Sequence, residues 1–170
     1  PIQDFYLREA IKDNEGNFTS KIVKTVFKNH KDAYFRECKF YQRDNGKYEI
    51  KTESVFDEIT GISTLNFLDK TINFIDDVKG VFDQVTGLNT KSGEMFRLYN
   101  AAFARFPDAE GLKYWIEKFS SGLNTKRVIS QSFLASDEFK ERYGENVSNA
   151  NYIETLYVNV LGRDYDQEGY

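Results

Sequence analysis

A chain of 170 residues, 40% apolar and 16% aromatic, has material for one or two buried cores, and its 29% of charged residues with a net charge of −4 fits a globular protein, not a disordered one. The acidic balance argues against nucleic acid as a partner, because Lys21, Lys24, Lys28 and Lys31 are interrupted by apolar residues. No apolar run approaches the roughly 20 residues that span a bilayer.

Residues 1–20 lack the basic, apolar and small-residue order of a cleaved leader. Leu7, Ala10 and Ile11 suggest a short helix that stops at Asp13-Asn14-Glu15-Gly16. Ile22, Val23, Val26 and Phe27 have helical spacing, while Thr19, Val23, Thr25 and Val26 have β-branched stiffness; the spacing is read as a helix over about 19–32. Runs from Ala33 to Gln42 and from Lys47 to Thr52 flank Arg43-Asp44-Asn45-Gly46, and an Asn-Gly step between β-rich runs signals a hairpin with Tyr48 and Ile50 on one face. Thr64–Phe67 and Thr71–Phe74, joined through Asp69-Lys70, read as a second hairpin, and the two together suggest a compact sheet. Cys38 is the lone cysteine, so no internal disulfide forms, and its setting between Phe35 and Phe40 reads as an inert thiol in or near a strand. His30, the single histidine, lies in the polar stretch Lys28–Asp32 and reads as solvated. With one His and one Cys, zinc is poorly supported.

The pattern changes character near residue 75. Ile75, Val78, Phe82 and Val85 line one helical face, which predicts a bridging helix over 75–91 that Gly87 ends. Ser92 can cap a helix carrying Phe96, Tyr99, Ala102 and Phe103. Asp108 follows Pro107 and precedes Leu112, Trp115, Ile116 and Phe119 at helical spacing. Thr125, Ser136, and Ser148 or Asn149 each open a further helix. The predicted architecture is α+β: a small β-hairpin module over 1–74, the bridging helix, and an all-α helical repeat domain over 92–170.

The repeat is an offset of 58. Leu98-Tyr99, Arg105, Asp108, Glu110 and Gly111 recur as Leu156-Tyr157, Arg163, Asp166, Glu168 and Gly169, so six of the fifteen positions from Leu98 to Leu112 are identical. Stacked helical units share positions for structural reasons. Asp108 and Asp166 are read as helix caps and Glu110 and Glu168 as partners of the positive helix end. Arg105 and Arg163 are read as braces of the preceding helix or partners of the acid, and Gly111 and Gly169 as points of close backbone approach. A calcium or catalytic reading of the acids is weaker, since two carboxylates supply too few of the six to eight oxygens calcium takes. The counterpart of Tyr114-Trp115 falls beyond Tyr170, so the second repeat reads as truncated and an exposed or self-associating patch is expected on the helix at 152–161. Trp115 falls on an apolar stripe and is assigned to the core. Tyr114 and Tyr143 are the candidate interaction aromatics.

Three blocks in order, Phe103–Trp115, Ser132–Phe139 and Leu156–Arg163 with Asp166 and Gly169, resemble the family of domains of unknown function numbered 4214, over about residues 92–170. The resemblance implies a helical, phycobilisome-linker-like domain of large exported bacterial and cyanobacterial proteins, hence an extracellular or cell-surface setting. Phe40–Thr52, Asp57–Gly61 and Leu65–Thr71 are similar to the β segment that accompanies calcium-binding toxin-type repeats in such proteins. No glycine- and aspartate-rich calcium nonapeptide occurs in this chain, so calcium binding is not carried across, and the family supplies no activity.

The reading is therefore a non-catalytic structural or protein-interaction module of a larger exported, surface or assembly protein, without cofactor or metal, with a protein partner or self-assembly expected. The alternative is a carbohydrate-binding accessory module that uses Tyr114 or Tyr143 on a glycan.

Overall fold

In the computed structural model residues 5–12, 15, 18–30, 32–53 and 55–166 are described. The run that includes Thr19, Ile22, Val23, Thr25 and Val26 is extended: β2 (Phe18–His30) pairs antiparallel with β1 (Phe5–Lys12) and, near its end, parallel with β6 (Thr64–Phe67). This corrects the helices expected over 19–32 and around Leu7, Ala10 and Ile11. Residues branched at Cβ lose rotamer freedom in a helix and pack well on a pleat, and the pairing partners on both sides decide the outcome. The Asp13–Gly16 stop lies outside the described residues apart from Glu15.

β3 (Lys39–Gln42) and β4 (Tyr48–Lys51) form an antiparallel hairpin with Gln42 opposite Tyr48, and its turn is closed by the Gly46 N–H donating to the Arg43 carbonyl at 2.9 Å. β5 (Phe56–Glu58) adds to β4, while β7 (Thr71–Asn73) forms a hairpin with β6. The two hairpins do not share a sheet. One sheet runs β1-β2-β6-β7 and the other β3-β4-β5. Where extended chain was expected from Ala33, a 3-10 turn at Phe35–Glu37 intervenes before β3.

Chain contacts divide the molecule into two compact units, Pro1–Phe82 and Asp83–Tyr170. The first is held by rings and aliphatics from both sheets. Phe35 packs on Phe40 and Phe67 with centroids 5.6 and 5.4 Å away, Tyr48 packs on Phe74 at 5.2 Å, and Ile50, Ile59, Leu65, Val78 and Val81 are sealed from solvent. His30 is part of this core: it is 1% exposed and stacks on Phe67 at 5.7 Å. The solvated histidine expected from its polar sequence neighbours is thereby corrected, because the parallel pairing of His30 beside Phe67 carries it inside. Cys38 is buried next to β3, and its thiol donates to the Tyr34 carbonyl at 3.3 Å.

The helical stretch expected over 75–91 is shorter. A π-turn over Phe74–Lys79 runs into α1 (Gly80–Phe82) and stops. The wider turn changes which side chains share a face, so Phe74, Val78 and Val81 are buried while Ile75 is exposed. Beyond it the Thr86 N–H donates to the Ser92 hydroxyl at 3.0 Å, a contact made from a loop and not from a continuing helix.

The second unit is helical among the described residues: α2 (Lys91–Phe103), α3 (Ala109–Ser120), α4 (Lys126–Leu134), α5 (Asp137–Tyr143) and α6 (Asn149–Leu156), which continues as a π-turn over Tyr157–Leu161. Side-chain oxygens cap α3 to α6 at Asp108, Thr125, Ser136 and Ser148. The cap of α2 is Thr90, not Ser92; Ser92 lies inside the first turn and takes the Thr86 N–H instead. Phe133 is the hub of the core, with ring centroids of Phe103, Tyr99 and Trp115 at 4.9, 5.0 and 5.3 Å. The overall class is α+β.

Candidate functional site

The duplication extends further than its identities. α2 covers residues 91–103, and α6 with its π-turn covers 149–161, the same bounds shifted by 58. Thr90 and Ser148, equivalent positions, each accept the N–H three residues on. At the other end Ala104 and Gly162 are equivalent and both left-handed, with φ, ψ of 48°, 33° and 65°, 25°. Left-handed C-caps satisfy the last helical carbonyls, and glycine takes that conformation without strain.

Each C-cap leads into an arginine junction of the same build. Arg105 donates to the Phe106 carbonyl at 3.0 Å and lies 3.5 Å from Asp108; Arg163 donates to the Asp164 carbonyl at 3.1 Å and pairs with Asp166 at 2.9 Å. The guanidiniums stand 5.5 and 5.2 Å over the equivalent rings of Tyr99 and Tyr157. Planar, delocalised and permanently charged, arginine serves a ring face, a carbonyl and a carboxylate at once. Arg105 has a further partner in Glu138 of α5, which it grips through Nε and through Nη2, the latter at 2.8 Å.

Asp108 accepts the Gly111 N–H at 2.7 Å and so opens α3, with Glu110 exposed in its first turn. Gly111 admits side chains rather than another backbone. A Cβ there would stand 2.6 Å from the Tyr99 hydroxyl and closer still to the Asp108 carboxylate. The Tyr99 hydroxyl also takes a hydrogen bond from the Trp115 indole. Burial raises its pKa, the Asp108 charge adds to that, and Arg105 opposes it. These groups therefore form a closed brace at the α2–α3 corner. Glu168 and Gly169 lie outside the described residues.

Trp115 is half-buried against Phe133, whereas the adjoining Tyr114 ring is 50% exposed and meets the Trp115 ring edge-on at 4.9 Å. Tyr143 is half-buried, and its hydroxyl accepts the Asn159 side-chain amide at 2.8 Å. Sequence reasoning missed Glu138 and the asparagines but placed Phe133 on the apolar face of its helix. Phe133 had a signal, the helical stripe Val128, Ile129, Phe133. Glu138 and Asn159 had none, since each is defined by a partner distant in the chain.

An open groove of about 370 Å³ lies between α2, α4 and the π-turn, lined by Met95, Leu98, Ala101 and Val160 with Glu94 and Lys126 at its rim. The rim pair is closed at 2.9 Å. Beside the groove Val158, Val160 and Leu161 are each more than half exposed. Among the described residues no group of three or more His, Cys, Asp or Glu is arranged to hold a metal ion, and no helix is long and apolar enough to cross a membrane.

Residues 130–170 match the family model of a domain of unknown function, DUF4214. The match takes in the end of α4, α5, α6 and the Arg163 junction, a narrower stretch than the 92–170 of the sequence resemblance. No curated protein and no solved structure matches the chain.

Proposed function

We propose that this chain is a non-catalytic structural and protein-interaction module of a larger exported, surface or assembly protein. The carrying observation is how the helical unit uses its side chains. Arg105 and Arg163 are bonded to Asp108 and Asp166, to carbonyls and to ring faces, whereas the apolar residues Val158, Val160 and Leu161 are more than half exposed, with Val160 lining the α2–α4 groove. Charged groups engaged in bracing favour a scaffold, and exposed apolar side chains at a largely apolar groove favour a protein contact. The resemblance of the helical blocks to the domain-of-unknown-function family, read above as implying an exported, linker-like setting, is in keeping with that use.

Affinity capture with the 170-residue chain beside its Val160→Asp/Leu161→Asp variant tests the reading, with circular dichroism to establish that both are folded. A partner held by the first and lost by the second supports it. Equal capture, or capture by neither, removes it. The glycan alternative rests on the exposed Tyr114 ring, since the Tyr143 hydroxyl is engaged with Asn159. Sugar binding that disappears in Tyr114→Ala with the fold intact would replace the interaction reading.

A further inference from the structure

We infer that the face of α6 formed by Ile153, Tyr157, Val160 and Leu161 is the docking surface for an amphipathic helix built like α3. The inference rests on the interaction reading and names the chemistry of the partner. The chain contains the covered version of this face. Met95, Tyr99, Ala102 and Phe103 are the equivalents in α2, and all four are at most 4% exposed. Tyr99 is bonded through its hydroxyl to Trp115 of α3, and the rings of Tyr99 and Phe103 pack on Phe133 of α4. In the second copy Val160 and Leu161 are each 55% exposed.

The ends and the charges of the two copies match, although Tyr157–Leu161 is a π-turn where α2 stays α-helical. Caps, bounds and left-handed ends coincide, and Arg163 stands over Tyr157 as Arg105 stands over Tyr99. Arg105 holds two carboxylates, Asp108 and Glu138. Arg163 holds Asp166 and is half exposed, so an acid on an incoming first turn complements it, as Asp108 and Glu110 on α3 would. The α3 pattern also meets the apolar part: an acidic cap, glycine three residues on for close approach, then Leu112 and Trp115 three apart on one face. The face is continuous with the contact that α2 already makes with the π-turn through Asn100 and Asn159.

The test is nuclear magnetic resonance on the isotope-labelled 170-residue chain titrated with a peptide of residues 108–121. Saturable shifts at Ile153, Tyr157, Val160 and Leu161, abolished by Trp115→Ala in the peptide or Leu161→Asp in the chain, are expected. Shifts confined to α2 and α4 would mean that the peptide competes with α3 for its own seat and would overturn the inference. A short free peptide is a marginal helix, so the deciding arm fuses the 108–121 sequence after Tyr165 in place of residues 166–170. The fused chain should melt at a higher temperature, and Leu112→Ala/Trp115→Ala within the fused segment should cancel the gain. An unchanged melting temperature overturns the inference whatever the peptide does. If the fused helix fails while capture still depends on Val160 and Leu161, the interaction reading stands and the α3-like occupant falls.

Discussion

Asn159 donates its side-chain amide to the carbonyl of Ala101 at 2.9 Å, and Ala101 is the residue that occupies its own place 58 positions earlier. The contact is returned one residue over, where Asn100 donates to the Asn159 carbonyl at 3.0 Å. Two copies of one helix thus pack through the same turn, and the asparagine amides satisfy carbonyls near helix ends that would otherwise need water.

Asn159 also donates to the Tyr143 hydroxyl, so its truncation breaks two bonds at once. Asn159→Ala should destabilise the helical unit by about 1–2 kcal/mol, read from urea unfolding, and Asn100→Ala by less. A double-mutant cycle of Asn159→Ala with Tyr143→Phe should show a coupling of roughly 0.5–1.5 kcal/mol. Additive effects would mean that the amide and hydroxyl do not share a network.

The equivalent C-caps give a prediction of sign. Ala104 is left-handed at φ 48°, where a Cβ costs about 1–2 kcal/mol, while Gly162 takes the same conformation freely. Ala104→Gly removes that strain but adds about 0.4–1 kcal/mol of unfolded-chain entropy, so a net gain of roughly 0.5–1 kcal/mol is expected. Gly162→Ala should lose about 1 kcal/mol. Denaturant midpoints that move the opposite way would show that the left-handed caps are not equivalent in solution.

The repeat was legible where one residue meets a backbone rule. Asp108, Thr125, Ser136 and Ser148 cap their helices, and Asn45-Gly46 makes its turn, because each requirement is local. Upstream of Leu98 the copies share no identity, so Thr90 and Ser148 carry the duplication in geometry alone. What stayed hidden depends on distant partners. β2 is a strand because β1 and β6 pair with it, His30 is buried because Phe67 lies alongside, and the second hand on Arg105 comes from Glu138. The π-turns shift the helical period, which is why Ile75 points out although its spacing matched the buried stripe.

Gly111 tests the brace at the α2–α3 corner against simple propensity. Alanine is better than glycine in a helix interior by about 1 kcal/mol, so an open site would gain from Gly111→Ala. Here the added methyl meets the Tyr99 hydroxyl in the core and the Asp108 cap. Losing the cap costs about 1 kcal/mol and cancels the propensity gain, and crowding against the Tyr99 hydroxyl adds about 1–2 kcal/mol, so a net loss of roughly 1–2 kcal/mol is expected. Tyr99→Phe, which deletes the hydroxyl on the core side, should make the same substitution less harmful. A stabilised Gly111→Ala chain would mean that the corner is loose.

Cys38 sets a limit on alkaline stability. Burial pushes its thiol up to about 12 from an ordinary 9.0, and Asp69, Glu37 and Asp32 add to the rise. The folded chain therefore keeps the proton when the unfolded chain has released it. The thiol's contribution is complete below about pH 9 and declines as pH rises from 9 towards 12. The Tyr99 hydroxyl, also raised by burial, acts in the same direction above its ordinary 10.0. Unfolding free energy should fall across this alkaline range, and Cys38→Ala should flatten the lower part of the fall. Because thiolate is the reactive form, native Cys38 should react with a disulfide reagent at pH 8 far more slowly than the same chain in denaturant. Equal rates in the two states would place the thiol in solvent and remove the argument.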